Sequence, residues 1–452
     1  MKVEDIIVGL KPWIRERRWY DLKDQKIIAA ELFWKLKVKD VFLTLIKVRT
    51  REVERLYYLP LTIRTKEFSE YCRGINGVYV CEAEYDPAYY NSIFYTLIDD
   101  NFNELVMDLY SKLERAIFVE PIIGSTNPVV KVLDEKGNNL ILKSYRKVHK
   151  INREYLFLKK LREKSVNIPE LLASLRHKSF GVFSIVTRYV KSLGDGGTPF
   201  AENFREFLER SRDVPEALSK KLGKVTAEFH NQLADNSEWL FKPEVINHND
   251  VLMWENRVIS RIRILNLPLS SLGSYIKNFN LYLGLKKIQI HQDYHLAQLL
   301  YTYSGDFLIL DLEGEPGRGE EELLVKEPAI RDLGCMIRSF DYLVYSTLSV
   351  LERDKVYEEA TKNSRIVEWR SHVIKTFLSN YLQNIDQERI LGSSMDLDKL
   401  AILALPWILE KALYEMMYEV RYRPHLLYIP LNGVRELIEK THPVFQIIKL
   451  RS

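Results

Sequence analysis

His291-Gln292-Asp293-Tyr294-His295-Leu296-Ala297-Gln298, followed thirteen residues after Gln298 by Asp311-Leu312-Glu313-Gly314-Glu315-Pro316, decides how the rest of the chain is read. An Asp with an amide side chain five residues on has the offset of two groups used in phosphoryl transfer: one receives a hydroxyl proton, the other is a neutral Mg²⁺ ligand. Asp293 and Gln298 have that offset, and the carbonyl oxygen of Gln is a hard ligand like that of the more usual Asn. Asp311 would add the anionic ligand. It ends the apolar run Asp306-Phe307-Leu308-Ile309-Leu310, which reads as a buried strand, and a strand end holds a carboxylate rigidly. A turn at Ser304-Gly305 makes this run the second strand of a pair. Taken alone, the Asp-Gln spacing is also that of a turn Asp and a surface Gln. His291, His295 and the Asp311 strand in register each add a further requirement of the same chemistry.

Working outward, the upstream sequence supplies the expected partners. Phe118 to Ile123, the turn Gly124-Ser125-Thr126-Asn127, Val129 to Leu133, a turn at Lys136 to Asn139 and Leu140-Ile141-Leu142-Lys143 read as three strands joined by turns. The segment from Asn152 to Leu161 has helical spacing. Lys143 and Glu154 are thus placed to form the lysine–glutamate pair that steadies nucleotide phosphates. The Ser125 turn could cover phosphates through backbone N–H groups, although a plain turn accounts for it equally well. Ser184 to Val190 reads as a strand running into Gly194-Asp195-Gly196-Gly197, where a hinge between lobes would fall. Adenine would be held there by backbone groups near Thr187 and Tyr189.

The remaining segments complete the expected architecture. The first hundred residues alternate β-like runs, such as Val41 to Val48 and Leu56 to Ile63, with polar turns. Residues from Asn101 to Leu113 carry apolar positions at helical spacing and read as a connecting helix. Beyond Pro199 helical patterns dominate, from Asn203 to Arg210, Ser219 to Leu233 and Asp398 to Tyr422, with a break or kink expected at Pro406. The fold expected is α+β and bilobal, protein-kinase-like, in three regions: a β-rich cap over 1–100, a small lobe over 101–195 and a helical large lobe over 196–452.

Composition bounds the function. The chain has 452 residues, enough for two or three domains, and 46% are hydrophobic, as in ordinary globular proteins. The formal net charge of +4 gives no polyanion-binding arm, which disfavours nucleic acid. No apolar stretch approaches the ~20 residues needed to span a bilayer, and Glu4 and Asp5 spoil a secretory pattern, so a cytoplasmic location is expected. Cys72, Cys81 and Cys335 have no metal-ligand spacing, and their odd number is read as three reduced packing residues. The 26 tyrosines suit carbohydrate faces, though they also fill large cores.

On these motifs the chain resembles the bacterial maltokinases, kinase-like phosphotransferases that use ATP to phosphorylate the anomeric hydroxyl of maltose. The resemblance is carried in order by Trp13 to Tyr20, Leu222 to Ala234, Asp293 to Gln298, Asp311 to Pro316, Arg331 to Tyr342, and Tyr414 to Pro424 with Ile429-Pro430-Leu431 behind it. Two positions depart from the pattern: Gln292 stands where the family usually has Gly, and Leu312 replaces the usual Phe. The resemblance implies ATP and Mg²⁺, with Asp293 orienting the sugar hydroxyl. Gln298 and Asp311 would hold the metal, and Glu313 a second metal or a metal-bound water. It also implies a sugar site in the helical lobe, with Arg331, Tyr418 and Arg423 as candidates; each equally fits a core-edge ion pair or a packing aromatic. His295 fits either a substrate contact or a scaffold hydrogen bond, and Asp332 and Asp341 either helix caps or arginine partners. A trehalose-isomerising synthase is the metabolic partner implied. Glucosamine kinases share the scaffold, so glucosamine or an aminoglycoside-like acceptor is the alternative. A non-catalytic nucleotide-binding protein is the alternative of another class.

Overall fold

In the computed structural model, which describes residues 3–67, 69–96, 104–210, 213–351 and 355–448, the β-patterned part of the chain up to Arg188 folds as two six-stranded antiparallel sheets. The first contains β1 (Ala29–Val38), β2 (Val41–Arg49), β3 (Glu54–Tyr58), β4 (Leu61–Arg64), β5 (Cys72–Ile75) and β6 (Val78–Glu82). Its order is β1-β2-β4-β6-β5, with β3 also on β2. The run Leu56 to Ile63 is two strands, because Pro60 has no N–H to give a ladder and sits at the break between β3 and β4.

Two sequence expectations are corrected in this region. Cys72 and Cys81 face each other in register on β5 and β6 and form a disulfide, with Cα atoms 4.0 Å apart. The odd cysteine count meant only that one thiol is left over, Cys335, which is buried. Closing a loop of this size stabilises by roughly 2–3 kcal/mol through the unfolded chain. Cys72→Ser is therefore expected to lower the non-reducing unfolding temperature by several degrees while leaving the reduced protein's nearly unchanged; equal curves for wild type and variant under non-reducing conditions would refute the bridge.

The second correction concerns the helix expected from Asn101 to Leu113. Asn101, Phe102 and Asn103 lie outside the described residues, and Leu105–Leu109 is a strand, β7. Its apolar residues satisfy a two-residue period as well as a helical one, and the open edge of β11 (Leu171–His177) supplies a partner, Ala173 pairing with Leu109. The second sheet is completed by β8 (Ala116–Pro121), β9 (Val129–Asp134), β10 (Asn139–Ser144) and β12 (Gly181–Arg188), in the order β7-β11-β12-β10-β9-β8.

Both sheets share one core. Tyr58, Tyr89 and Phe94 from the first hundred residues pack with Val130, Val132, Leu142 and Phe183, and the Tyr58 and Phe183 rings stack at 4.2 Å. Each such buried side chain contributes on the order of 1.5–3 kcal/mol. Arg146, two residues past β10, is fully buried between Glu82 and Glu84, and Glu82 also accepts from the Trp19 indole at 3.2 Å. These contacts make residues 1–162 and 169–190 one compact unit.

The other unit comprises 163–168 and 191–452. Its main helices are Thr198–Arg210, Glu216–Leu233, His248–Ile264, Ile330–Val350, Ser364–Asn384, Leu397–Tyr422 and Tyr428–Glu439. The Leu397–Tyr422 helix is not broken at Pro406, one of the two outcomes expected there; Leu400, Leu403, Ala404, Trp407 and Ile408 are all buried around it, so packing offsets the lost hydrogen bond. This helix and Ile330–Val350 cross closely at Gly334, where a Cβ would come within 2.6 Å of the Trp407 side chain. Two short strands, β14 (Glu244–Val245) and β15 (Lys286–Lys287), pair with each other. A three-stranded sheet, β13 (Ser192–Asp195), β16 (Leu299–Thr302) and β17 (Phe307–Ile309), carries the Asp293 loop at one end. Gly305, at φ +74°, makes the expected turn between β16 and β17. Among the described residues no helix is long and apolar enough to cross a membrane.

Candidate active site

In the first unit, β10 delivers Lys143 and the helix Arg153–Leu161 delivers Glu154. Asn152 caps that helix by accepting from the Tyr155 N–H at 2.9 Å, which fixes the first turn on which Glu154 sits. The Lys143 ammonium then reaches Glu154 Oε2 at 2.6 Å, and the Tyr145 hydroxyl donates to the same oxygen at 2.8 Å. The pairing expected from the sequence is formed, with both side chains largely buried. Ser125 lies in the β8–β9 connection, its hydroxyl accepting from the Asn127 N–H at 3.2 Å. Thr187 is buried in β12 opposite Ile141. Tyr189 follows that strand, its N–H bonded to Asn139 O at 3.3 Å, and the Lys131 ammonium is 5.0 Å from its ring centre.

In the second unit, His291 Nε2 bonds to Leu310 O at 2.8 Å, and Leu310 N–H donates to Gln298 O at 2.8 Å. These bonds hold the Asp293 loop against the end of β17 and bring Gln298 beside Asp311, its amide nitrogen donating to Asp311 Oδ2 at 3.1 Å. Asp311 adopts φ +52°, a left-handed conformation that costs a non-glycine residue on the order of 1–2 kcal/mol and turns the chain sharply as it leaves the strand. Glu313, two residues on, is half-buried. Two carboxylates and an amide carbonyl are hard oxygen donors, the set that Mg²⁺ takes, so the residues fit that ion.

The loop is braced from beneath by the start of the Ile330–Val350 helix. Asp332 accepts the N–H groups of His291 at 2.6 Å and Gln292 at 3.0 Å, and also bonds His230 at 3.1 Å. Arg331 donates to Gln292 O at 3.0 Å and to Glu315 at 2.9 Å, and also pairs with Glu327 at 3.0 Å. Arg331 is wholly buried, so of the two readings left open its place is that of a core ion pair. Gln292 sits at φ +74°, a conformation glycine takes without cost, and its buried amide donates to Leu323 O at 3.1 Å. Asp341 is likewise an arginine partner, bonded to Arg370 at 2.9 Å and Arg338 at 3.0 Å.

Asp293 is buried, and its Oδ1 accepts from the Lys411 ammonium at 2.7 Å, while His295 Nε2 stands 3.5 Å from Oδ2. Burial alone would raise the Asp293 carboxyl, but Lys411, joined by His295, overrides it and holds the group well below the usual carboxylate range. From Lys411 a row of aromatics runs outward along the Leu397–Tyr422 helix. The ammonium lies 4.6 Å from the Tyr414 ring centre, Tyr414 and Tyr418 stack at 6.4 Å, and Tyr418 and Tyr422 approach at 4.8 Å. Arg423 packs over Tyr418 at 5.1 Å and pairs with Glu419 at 2.6 Å. Tyr418 and Arg423 are therefore together and exposed, linked to Asp293 through Tyr414 and Lys411.

No family model matches the chain. Among curated proteins, a glucosamine kinase of Streptacidiphilus jiangxiensis is 22% identical over 271 residues, 56% of this chain and 57% of that protein, so the match spans little more than half of the relative's length. Among solved structures, a glucosamine kinase in complex with glucosamine, ADP and inorganic phosphate is similar over 97% of this chain and 99% of its own, with a TM-score of 0.71 and 16% identity. Another glucosamine kinase crystal form matches with a TM-score of 0.72 and 17% identity, over 97% of this chain and all of that one. The chain has the glucosamine kinase fold. The α+β, kinase-like architecture expected from the sequence is thereby established, and the glucosamine kinase fold accounts for nearly the entire length, first sheet included.

Sequence reasoning missed Lys411. The available signal was Glu410-Lys411, two charges interrupting the apolar stretch from Leu400 to Leu413, and both prove buried and paired. It also missed Glu315 as a brace, although Glu315 lies within the quoted Asp311 motif.

Proposed function

We propose that the protein is an ATP-dependent sugar kinase that transfers the γ-phosphoryl group to a sugar hydroxyl. The observation that carries this reading is that one loop holds the buried Asp293 and, five residues on, Gln298, whose amide bonds Asp311 at the end of the adjoining strand. In this reading the domains divide as cap 1–100, nucleotide lobe 101–195 and acceptor lobe 196–452. Lys143, steadied by Glu154, binds nucleotide phosphates, with the Ser125 turn and the Thr187 to Tyr189 backbone completing the nucleotide contacts. Asp293 Oδ2 receives the acceptor hydroxyl's hydrogen bond and aims its oxygen at the γ-phosphorus. As the new O–P bond forms, the bond to the ADP leaving oxygen breaks with its electron pair, and the hydroxyl proton passes to Oδ2 and on to water. Gln298, Asp311 and Glu313 would hold Mg²⁺, which when bound neutralises phosphate charge.

Glucosamine is the acceptor favoured by the comparisons. Maltose, giving maltose 1-phosphate, is a second reading with its own support: Glu410, Glu415 and Glu419, on the same helix as the aromatic row, are each engaged by arginine, which leaves them poor partners for an ammonium. The test is ADP release with Mg-ATP over maltose, glucose, glucosamine, trehalose and aminoglycosides, with Asp293→Ala as the control. Turnover on one sugar, lost by ~10²–10⁴-fold in the variant, is expected; retained activity in Asp293→Ala would refute the assignment.

A further inference from the structure

We infer that Lys411 is a positioning residue for Asp293: it ties down Oδ1 so that Oδ2 alone is presented to the acceptor hydroxyl. The inference rests on the kinase reading above. Lys411 comes from the far side of the second unit's sequence, 118 residues from Asp293, yet its ammonium is 2.7 Å from Oδ1, and the two side chains are only 6% and 8% exposed. A buried lysine is kept charged only by a partner of this kind. The Tyr414 ring covers the ammonium, and its hydroxyl reaches toward Pro316 O at 3.5 Å. The other charged or titratable groups facing the pair are accounted for. Glu415 bonds Arg338, Glu315 bonds Arg318 and Arg331, and Cys335 is a buried thiol held far above its ordinary range, chiefly by burial. His295 stands at Oδ2, 27% exposed and at 3.5 Å, a looser contact than the lysine's. The carboxylate therefore has one oxygen fixed by the lysine and one held only by the looser His295 contact.

An Asp fixed in this way orients a hydroxyl without having to store its proton, which suits a loose phosphoryl-transfer transition state. The lysine also sets the charge. Burial favours the protonated acid, and Lys411 is the principal group opposing it. Removing the ammonium should therefore move the protonation of Asp293 to higher pH.

The test is the pH profile of kcat/KM between pH 5 and 9 for wild type, Lys411→Met and Lys411→Arg, using the acceptor found in the sugar panel. Lys411→Met is expected to lose activity at least tenfold at pH 6 and to recover part of it by pH 9, its acidic limb shifted up by one pH unit or more; Lys411→Arg should return the limb toward wild type. A uniform loss with an unshifted profile would make the lysine merely structural and overturn the inference. A second measurement needs no turnover. In Lys411→Met the Asp293 carboxylate is buried without its cation, so the variant's deficit in unfolding temperature relative to wild type should shrink as the pH falls and Asp293 takes up a proton. Asp293→Asn/Lys411→Met should abolish that pH dependence. If wild type phosphorylates no sugar, the kinase proposal fails, while parallel unfolding profiles of wild type and Lys411→Met would overturn the inference on its own evidence.

Discussion

Arg331→Ala should destabilise the protein by about 3–5 kcal/mol, the penalty for leaving buried carboxylates without their cation. Arg331 is fully buried and serves three acidic side chains at once, Glu315, Glu327 and, at 3.5 Å, Glu410, as well as Gln292 O. Burial would raise Glu327, but Arg318, Arg331 and Arg257 override it and hold its carboxyl far below the ordinary range, and they do the same for Glu410 together with Arg261. The sign of the pH dependence follows. These groups have depressed folded-state values, so their stabilising contribution is present above the unfolded carboxylate range and is lost as pH falls below it. The alanine variant should thus show its full deficit near pH 7 and a smaller one near pH 4, read by urea unfolding at each pH. Arg331→Lys should fall between, since a single ammonium cannot span the carboxylates that the guanidinium fork reaches. A midpoint unchanged from wild type at pH 7 would mean that the network carries no net stability. Because Arg331 also holds the peptide preceding Asp293, turnover should drop in the surviving folded protein as well.

Much of this site was legible because phosphoryl transfer fixes sequence offsets within single elements. Asp293 and Gln298 share one loop, and Lys143 and Glu154 sit on neighbouring elements whose spacing the turn and cap residues set. Lys411 was not legible, because nothing local ties a residue on the Leu397–Tyr422 helix to a loop 118 positions earlier. Arg331 shows a different limit. An arginine near a motif reads equally as a ligand-binding fork or a brace, and only its complete burial among glutamates separates the two. Gln292 is informative in a different way. It sits at φ +74°, a region that favours glycine, and this chain tolerates a side chain there because Asp332 and Arg331 hold the backbone while the amide finds Leu323 O. The β7 strand escaped the sequence reading because a five-residue apolar segment fits both periods, and its state is decided by a partner strand some 65 residues away in β11.

Asp311→Asn should lower kcat roughly 10³-fold with little change in stability, and its contrast with Asp311→Ala separates charge from backbone shape. Asp311 occupies φ +52°, a region that Asn tolerates nearly as well as Asp but that Ala enters at a cost on the order of 1 kcal/mol. Asn also keeps an oxygen to accept from the Gln298 amide, now at 3.1 Å, so the β17 end should stay in place. What Asn lacks is the negative charge that would bind a divalent cation. Its loss of turnover should therefore be partly recovered by raising Mg²⁺, whereas Asp293→Asn, which removes no metal ligand, should show no such recovery. Ala should lose stability in addition to turnover. Equal rescue of Asp293→Asn and Asp311→Asn by metal would contradict the division of labour between the two carboxylates, and undiminished turnover in Asp311→Asn would remove Asp311 from the site altogether.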